Sequence, residues 1–81
     1  MNIYVANLSF HISSEDLRYL FEQFGDVSSA KVIADSVTGR SRGFGFVEME
    51  ADEEAKSAIV GLNNKEFEGR TIIVAAERSR A

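Results

Sequence analysis

The sequence has no cysteine among its 81 residues, so neither a disulfide nor a thiolate metal site holds the fold together, and a reducing compartment is permitted. It has one histidine, His11, with no cysteine or paired carboxylate arranged near it, and a solvated loop position is the better reading for it. No apolar run approaches a membrane span, and the chain enters a strand-like pattern at Ile3 without a basic signal region. A soluble, cytoplasmic protein with no membrane partner is expected. Positive charge is also scarce. Nine Lys and Arg against 13 Asp and Glu give a net charge of -4, so a polyanion must be held by a local patch and not by bulk charge. The length of 81 residues leaves room for one domain, near the lower end of what a single core stabilises unaided.

Two near-motifs for chemistry are incomplete. Glu48, Glu50, Asp52, Glu53 and Glu54 lack the spacing of a calcium loop, and a carboxylate-rich helix N-terminus explains most of them. Gly43 and Gly45 begin like a Gly-x-Gly-x-x-Gly phosphate loop, but Glu48 occupies the third glycine position and no Gly-Lys-Ser/Thr follows. Nothing assembles a nucleophile, a base and an orienting group. The chain reads as a non-enzyme, with no metal site and no cofactor.

What the chain does contain is Arg42-Gly43-Phe44-Gly45-Phe46-Val47-Glu48-Met49. In an extended strand Arg42, Phe44, Phe46 and Glu48 share one face, with Gly43, Gly45, Val47 and Met49 behind. Flat apolar rings beside an arginine, if open to water, mark a binding site. They suit a ligand that carries both phosphates and planar bases, which describes single-stranded nucleic acid. If a helix covered the face, both rings would be core.

The rest of the chain decides between the two. Ile3 to Leu8 reads as a first strand, with Ile3 and Val5 facing one way and Tyr4 and Ala6 the other. Ser13 caps a helix whose first turn carries Glu15 and Asp16, and Leu17, Leu20, Phe21 and Phe24 form its apolar stripe up to Gly25. Residues 27–34 give a second strand with Ala30 and Val32 on one side and Ser29, Lys31 and Ile33 on the other. A polar loop from Asp35 to Ser41 leads into the glycine-phenylalanine strand. A second amphipathic helix, with Ala55, Ala58, Ile59 and Leu62, starts near Asp52 and fades between Gly61 and Asn64. An irregular piece with Phe67 and a turn at Gly69 precede the last strand, Thr71 to Ala75.

Two helices with one stripe each cover one face of a four-stranded sheet. The expected architecture is therefore α+β, a βαββαβ ferredoxin-like sandwich with an antiparallel four-stranded sheet and both helices on one face. Ile3, Val5, Val32, Val47, Met49, Ile72 and Val74 are expected beneath the helices, with Leu20, Phe21 and Ile59 as their helical partners. Tyr4, Phe44 and Phe46 come together on the bare face, where no helix is left to cover them.

At these positions the sequence resembles an RNA recognition motif. Arg42 to Met49 is similar to the family's longer ribonucleoprotein signature and Ile3 to Leu8 to its shorter one. Leu17-Arg18, Phe24-Gly25, the Thr38 to Arg42 loop and Gly69-Arg70 also sit where that family places them. Length and loop sequence most resemble small single-domain bacterial members and the RNA-binding part of glycine-rich RNA-binding proteins. The resemblance implies that Tyr4 and Phe46 each stack one base, that Phe44 packs against sugars, and that Arg42 meets a phosphate. Ala6 stands where glycine is common, and Met49 where a final aromatic is common.

Lys31 and Ile33 on the second strand, and Ile73 and Ala75 on the last, would flank the rings, with Arg40, Arg78 and Arg80 at the rim. Residues 1–77 then form the motif and 78–81 a short tail. The expected function is a monomeric module for single-stranded RNA, with single-stranded DNA as a further ligand, in a post-transcriptional or RNA-chaperone role. The alternative is a protein-interaction domain on the same fold, in which the aromatic face or a helix receives a peptide and Tyr19 is a contact.

Overall fold

The computed structural model describes residues 1–77. In chain order it forms β1 (Asn2–Ala6), α1 (Ser14–Glu22), β2 (Ser29–Ala34), β3 (Ser41–Glu48), α2 (Asp52–Leu62), β4 (Glu66–Phe67), β5 (Arg70–Thr71) and β6 (Ile73–Glu77). Four strands make one antiparallel sheet in the order β2-β3-β1-β6. The arrangement is the expected ferredoxin-like sandwich.

Each helix has a local reason to start and a packing reason to stay. Ser13 Oγ accepts from the Asp16 N–H at 3.1 Å, and the Asp16 carboxylate accepts from the Ser13 N–H at 3.0 Å, a reciprocal cap for α1. The α2 N-terminus has no side-chain cap and relies on Asp52, Glu53 and Glu54 in its first turn. Leu17 and Phe21 from α1, with Ala55, Ala58 and Leu62 from α2, bury against Ile3, Val5, Val47, Met49, Ile72 and Val74. Leu20, Ile59 and Val32, expected in the core, are half-buried at its edge. Leu8, Ile12 and Val27 join the buried set from loops.

The strand ends differ from the sequence expectation for identifiable reasons. The first strand stops at Ala6 because Asn7 adopts a left-handed φ of 62°. That turns Leu8 under the sheet, where its N–H still donates to the Gly43 carbonyl at 2.8 Å. The last strand runs Ile73–Glu77 and not Thr71–Ala75, because the Ile72 N–H donates to the Lys65 carbonyl and its own carbonyl accepts from the Asn64 N–H. The piece around Phe67 is a two-stranded hairpin, β4 against β5, turned by Glu68 and Gly69 with φ of 53° and 83°.

Gly45 sits where β3 is crowded by both β2 and α1. It pairs with Val5 on one side and Val32 on the other. A Cβ there would lie 2.5 Å from the Lys31 carbonyl oxygen and 3.1 Å from Leu17 Cδ2. A side chain there would press first on the backbone of β2 and then on Leu17 of α1.

Candidate nucleic-acid interface

The register of the sheet dictates what meets on the helix-free face. Lys31 pairs with Phe46, Phe46 with Tyr4, and Tyr4 with Ala75, so these four residues form one row across all four strands. The next row toward the start of β3 holds Phe44, Ala6 and Ile73. The row on the other side holds Ser29, Glu48, Asn2 and Glu77. Aromatic surface therefore occupies the middle of the face, with carboxylates at one end.

Tyr4, Phe44 and Phe46 touch pairwise. Their centroids are 5.9 Å apart for Tyr4–Phe44, 5.6 Å for Tyr4–Phe46 and 6.0 Å for Phe44–Phe46, the last edge to face. These separations fall within the range favoured by aromatic pairs. Because each ring shields the next, all three are half-buried and not fully exposed. Ile73, 44% exposed, and the exposed Ala75 border them on β6. Lys31 borders them on β2, and Ile33, half-buried, follows it along the same strand.

Arg42 reaches this face by a less regular route than alternation predicts. The β2–β3 register breaks between Val32, opposite Gly45, and Ala34, opposite Ser41, so β3 carries extra residues there. Gly43 takes up the irregularity with a φ of 84°, and its N–H donates to Ser41 Oγ at 3.0 Å. Arg42 is exposed and lines a hollow at this end of the sheet together with Tyr4, Ala6 and Phe44.

The β2–β3 loop that carries Arg40 is ordered by Asp35. Its carboxylate accepts from the Thr38 N–H at 3.0 Å and the Val37 N–H at 2.8 Å. Those bonds, Thr38 first and Val37 second, together with the charge of Arg42, hold the Asp35 carboxyl below its usual value. Arg40 stands in the loop immediately before β3 and lines a hollow with Phe10 and Arg70. Arg78 and Arg80 lie outside the described residues.

The structure adds Phe10 and Arg70, which the sequence reading did not single out as site residues. Phe10 is 67% exposed in the loop after β1, and the Arg70 guanidinium carbon sits 5.8 Å from its ring centroid. A large aromatic in an otherwise polar turn was the available signal. Tyr19, on the opposite side, is 70% exposed beside a hollow that Leu20 and Phe67 also line. Among the described residues no group of three His, Cys, Asp or Glu side chains is placed to hold a metal, and no helix is long and apolar enough to cross a membrane.

The family model for the RNA recognition motif matches residues 3–73. The 29 kDa chloroplast ribonucleoprotein of Arabidopsis thaliana is 49% identical over 76 residues, covering 94% of this chain. This chain spans only 22% of the length of that protein. A relative from Synechocystis sp. is 45% identical over 80 residues, covering 99% of this chain and 79% of its own length. Among solved structures, RNA-binding protein PG1 superimposes with a TM-score of 0.91 at 55% identity and covers 99% of both chains. A complex of Sex-lethal protein with RNA superimposes with a TM-score of 0.86 at 37% identity, over 91% of this chain and 46% of that one.

Proposed function

Because the chain belongs to the RNA recognition motif family, we propose that its bare sheet face binds single-stranded RNA. The observation that carries this reading is the cluster of Tyr4, Phe44 and Phe46 on the side of the sheet that neither helix covers. Tyr4 and Phe46, side by side in the central row, each stack one base, while Phe44 packs against sugars and Arg42 pairs with a phosphate. Lys31, Ile33, Ile73 and Ala75 contact flanking bases, and two of the three rim candidates Arg40, Arg78 and Arg80, the last two of which lie outside the described residues, supply backbone contacts. Base stacking on Tyr4 and Phe46 does not read the sugar, so single-stranded DNA is a second candidate ligand, whereas a duplex hides the base surfaces that stacking needs. Residues 1–77 form the binding module, and it works as a cytoplasmic monomer without cofactor in a post-transcriptional or RNA-chaperone role. It is a binding module and not an enzyme, in keeping with the family matched.

Affinities for random-sequence single-stranded RNA, measured by fluorescence anisotropy from low to moderate salt, test the roles. With Arg42 and two rim arginines on phosphates, log affinity falls with log salt at a slope of about -2, and Arg42→Ala flattens it by about 0.7. Phe46→Ala weakens binding by about 1 to 3 kcal/mol and leaves the slope alone, since stacking releases no counterions. Equal slope changes from both variants, or undiminished affinity in both, refute the assignment.

A further inference from the structure

The row at the far end of the helix-free face, Ser29, Glu48, Asn2 and Glu77, holds hydrogen-bonding side chains and no Lys or Arg. Glu48 stands in it between Asn2 on β1 and Ser29 on β2. It follows Phe46 by two residues along β3, about 7 Å away on the same face. Sheet pairing fixes its backbone, whose carbonyl also accepts from the Ser28 N–H at 2.8 Å. The side chain is exposed, and among the described residues it enters no ion pair. Lys31, the cation of the adjacent row, stands opposite Phe46 and is not bonded to Glu48.

This carboxylate meets a bound base from a set direction. Under the sheet-face reading a phosphate sits at Arg42 and a sugar on Phe44, and both lie on the side of Phe46 away from Glu48. A base reaching from that sugar across the Phe46 ring projects its far edge, the edge that pairs in a duplex, toward Glu48. An ionised carboxylate only accepts hydrogen bonds. Guanine presents two adjacent donors on that edge, N1–H and the 2-amino group, which the two oxygens of one carboxylate accept together. Cytosine and adenine present one amino group beside a ring-nitrogen acceptor. Uracil presents a single N–H between two carbonyl oxygens, which the negative charge repels.

We propose that Glu48 selects the base stacked on Phe46, and that it selects guanine over uracil. The inference rests on the sheet-face reading above, which supplies both the ring and the orientation of the base. The same charge repels phosphates, so Glu48 lowers affinity for RNA in general while it raises the preference among bases.

The test titrates the protein, followed by its amide NMR spectrum, with the pentanucleotides UUGUU and UUUUU and with the form of the first that carries inosine in place of guanosine. The flanking uridines let the guanosine slide onto Phe46. The parent binds UUGUU about five- to a hundredfold more tightly than UUUUU, the worth of one bidentate base contact. Inosine, which lacks the 2-amino group, loses part of that preference. Glu48→Ala brings the three ligands to within about twofold of one another and binds UUUUU at least as well as the parent does. Glu50→Ala removes the same charge beyond the end of β3 and keeps the parent's preference. A ratio of affinities is unchanged by any unfolded fraction in a variant, so loss of stability cannot imitate the result. Equal binding of UUGUU and UUUUU by the parent, or a preference that survives in Glu48→Ala, overturns the selection by Glu48. In either case the sheet-face reading stands if Phe46→Ala weakens both ligands, and falls with it if Phe46→Ala weakens neither.

Discussion

Replacing Gly45 with alanine tests whether the crowding of β3 by the β2 backbone and by Leu17 sets the sheet beneath the rings. The added methyl meets the Lys31 carbonyl oxygen at 2.5 Å, the Val32 Cα at 3.1 Å and Leu17 Cδ2 at 3.1 Å. Leucine Cδ2 is the end of a side chain and can rotate away. The Lys31 oxygen and Val32 Cα belong to the neighbouring strand, so relief requires β2 and β3 to separate locally. Overpacking of this kind costs about 1 to 3 kcal/mol, and the backbone clash puts Gly45→Ala in the upper part of that range. Alanine recovers about 0.5 to 1 kcal/mol because it loses less backbone freedom on folding than glycine does. The expected net loss is about 1 to 2 kcal/mol, or a fall in melting temperature of roughly 4 to 16 °C for a domain of this size. Circular dichroism melts of the parent and Gly45→Ala measure it. Gly69→Ala serves as a contrast, since nothing lies within 4 Å of that Cβ and its only cost is the strained φ of 83°. An unchanged or raised melting temperature in Gly45→Ala would show that the β2 backbone does not crowd this position.

Leu17→Ala, at a fully buried site against Gly45, should cost about 2 to 5 kcal/mol in urea denaturation. Phe46→Ala should lose only the ring contacts to Tyr4 and Phe44, about 1 to 2 kcal/mol; the reverse order would refute the assignment of core and face. Asp35 has a folded-state value below its usual 3.8, so its contribution to loop order is fully present above pH 3.8 and is lost as pH falls through the lowered value. The protection factors of the Val37 and Thr38 amides, measured against intrinsic exchange rates, should therefore fall in that acid range, and Asp35→Asn should remove that pH dependence of protection.

Much of the fold was legible because each element declared itself by period and cap. Leu17 and Phe21 sit four apart behind the Ser13 cap, and Tyr4, Phe44 and Phe46 alternate with buried partners. The departures have a common cause, which is backbone geometry that side-chain period does not encode. Leu8 and Ile12 bury because Asn7 turns the chain under the sheet, and a polar loop sequence carries no period to announce that. The hairpin at Glu68-Gly69 lacks the Asn-Gly or Asp-Gly pair that marks such turns, so it read as irregular. Ile72 leaves the sheet ladder because its backbone pairs with Asn64 and Lys65, eight and seven residues earlier in the chain. The corner of Phe10 and Arg70 joins residues 60 apart, a pairing that only the β1–β6 and β4–β5 registers create.

The mutual contact of Tyr4, Phe44 and Phe46 also has an entropic side. Rings 5.6 to 6.0 Å apart exclude rotamers from one another, so each is partly ordered before any ligand arrives. Immobilising a free side chain on binding costs about 0.5 to 1.5 kcal/mol, and this trio has already met part of that cost in folding. Removing any one ring frees the other two to rotate. Double substitutions should then weaken binding by less than the sum of the single losses, since the first loosens what the second removes. The three rings behave as one ordered group.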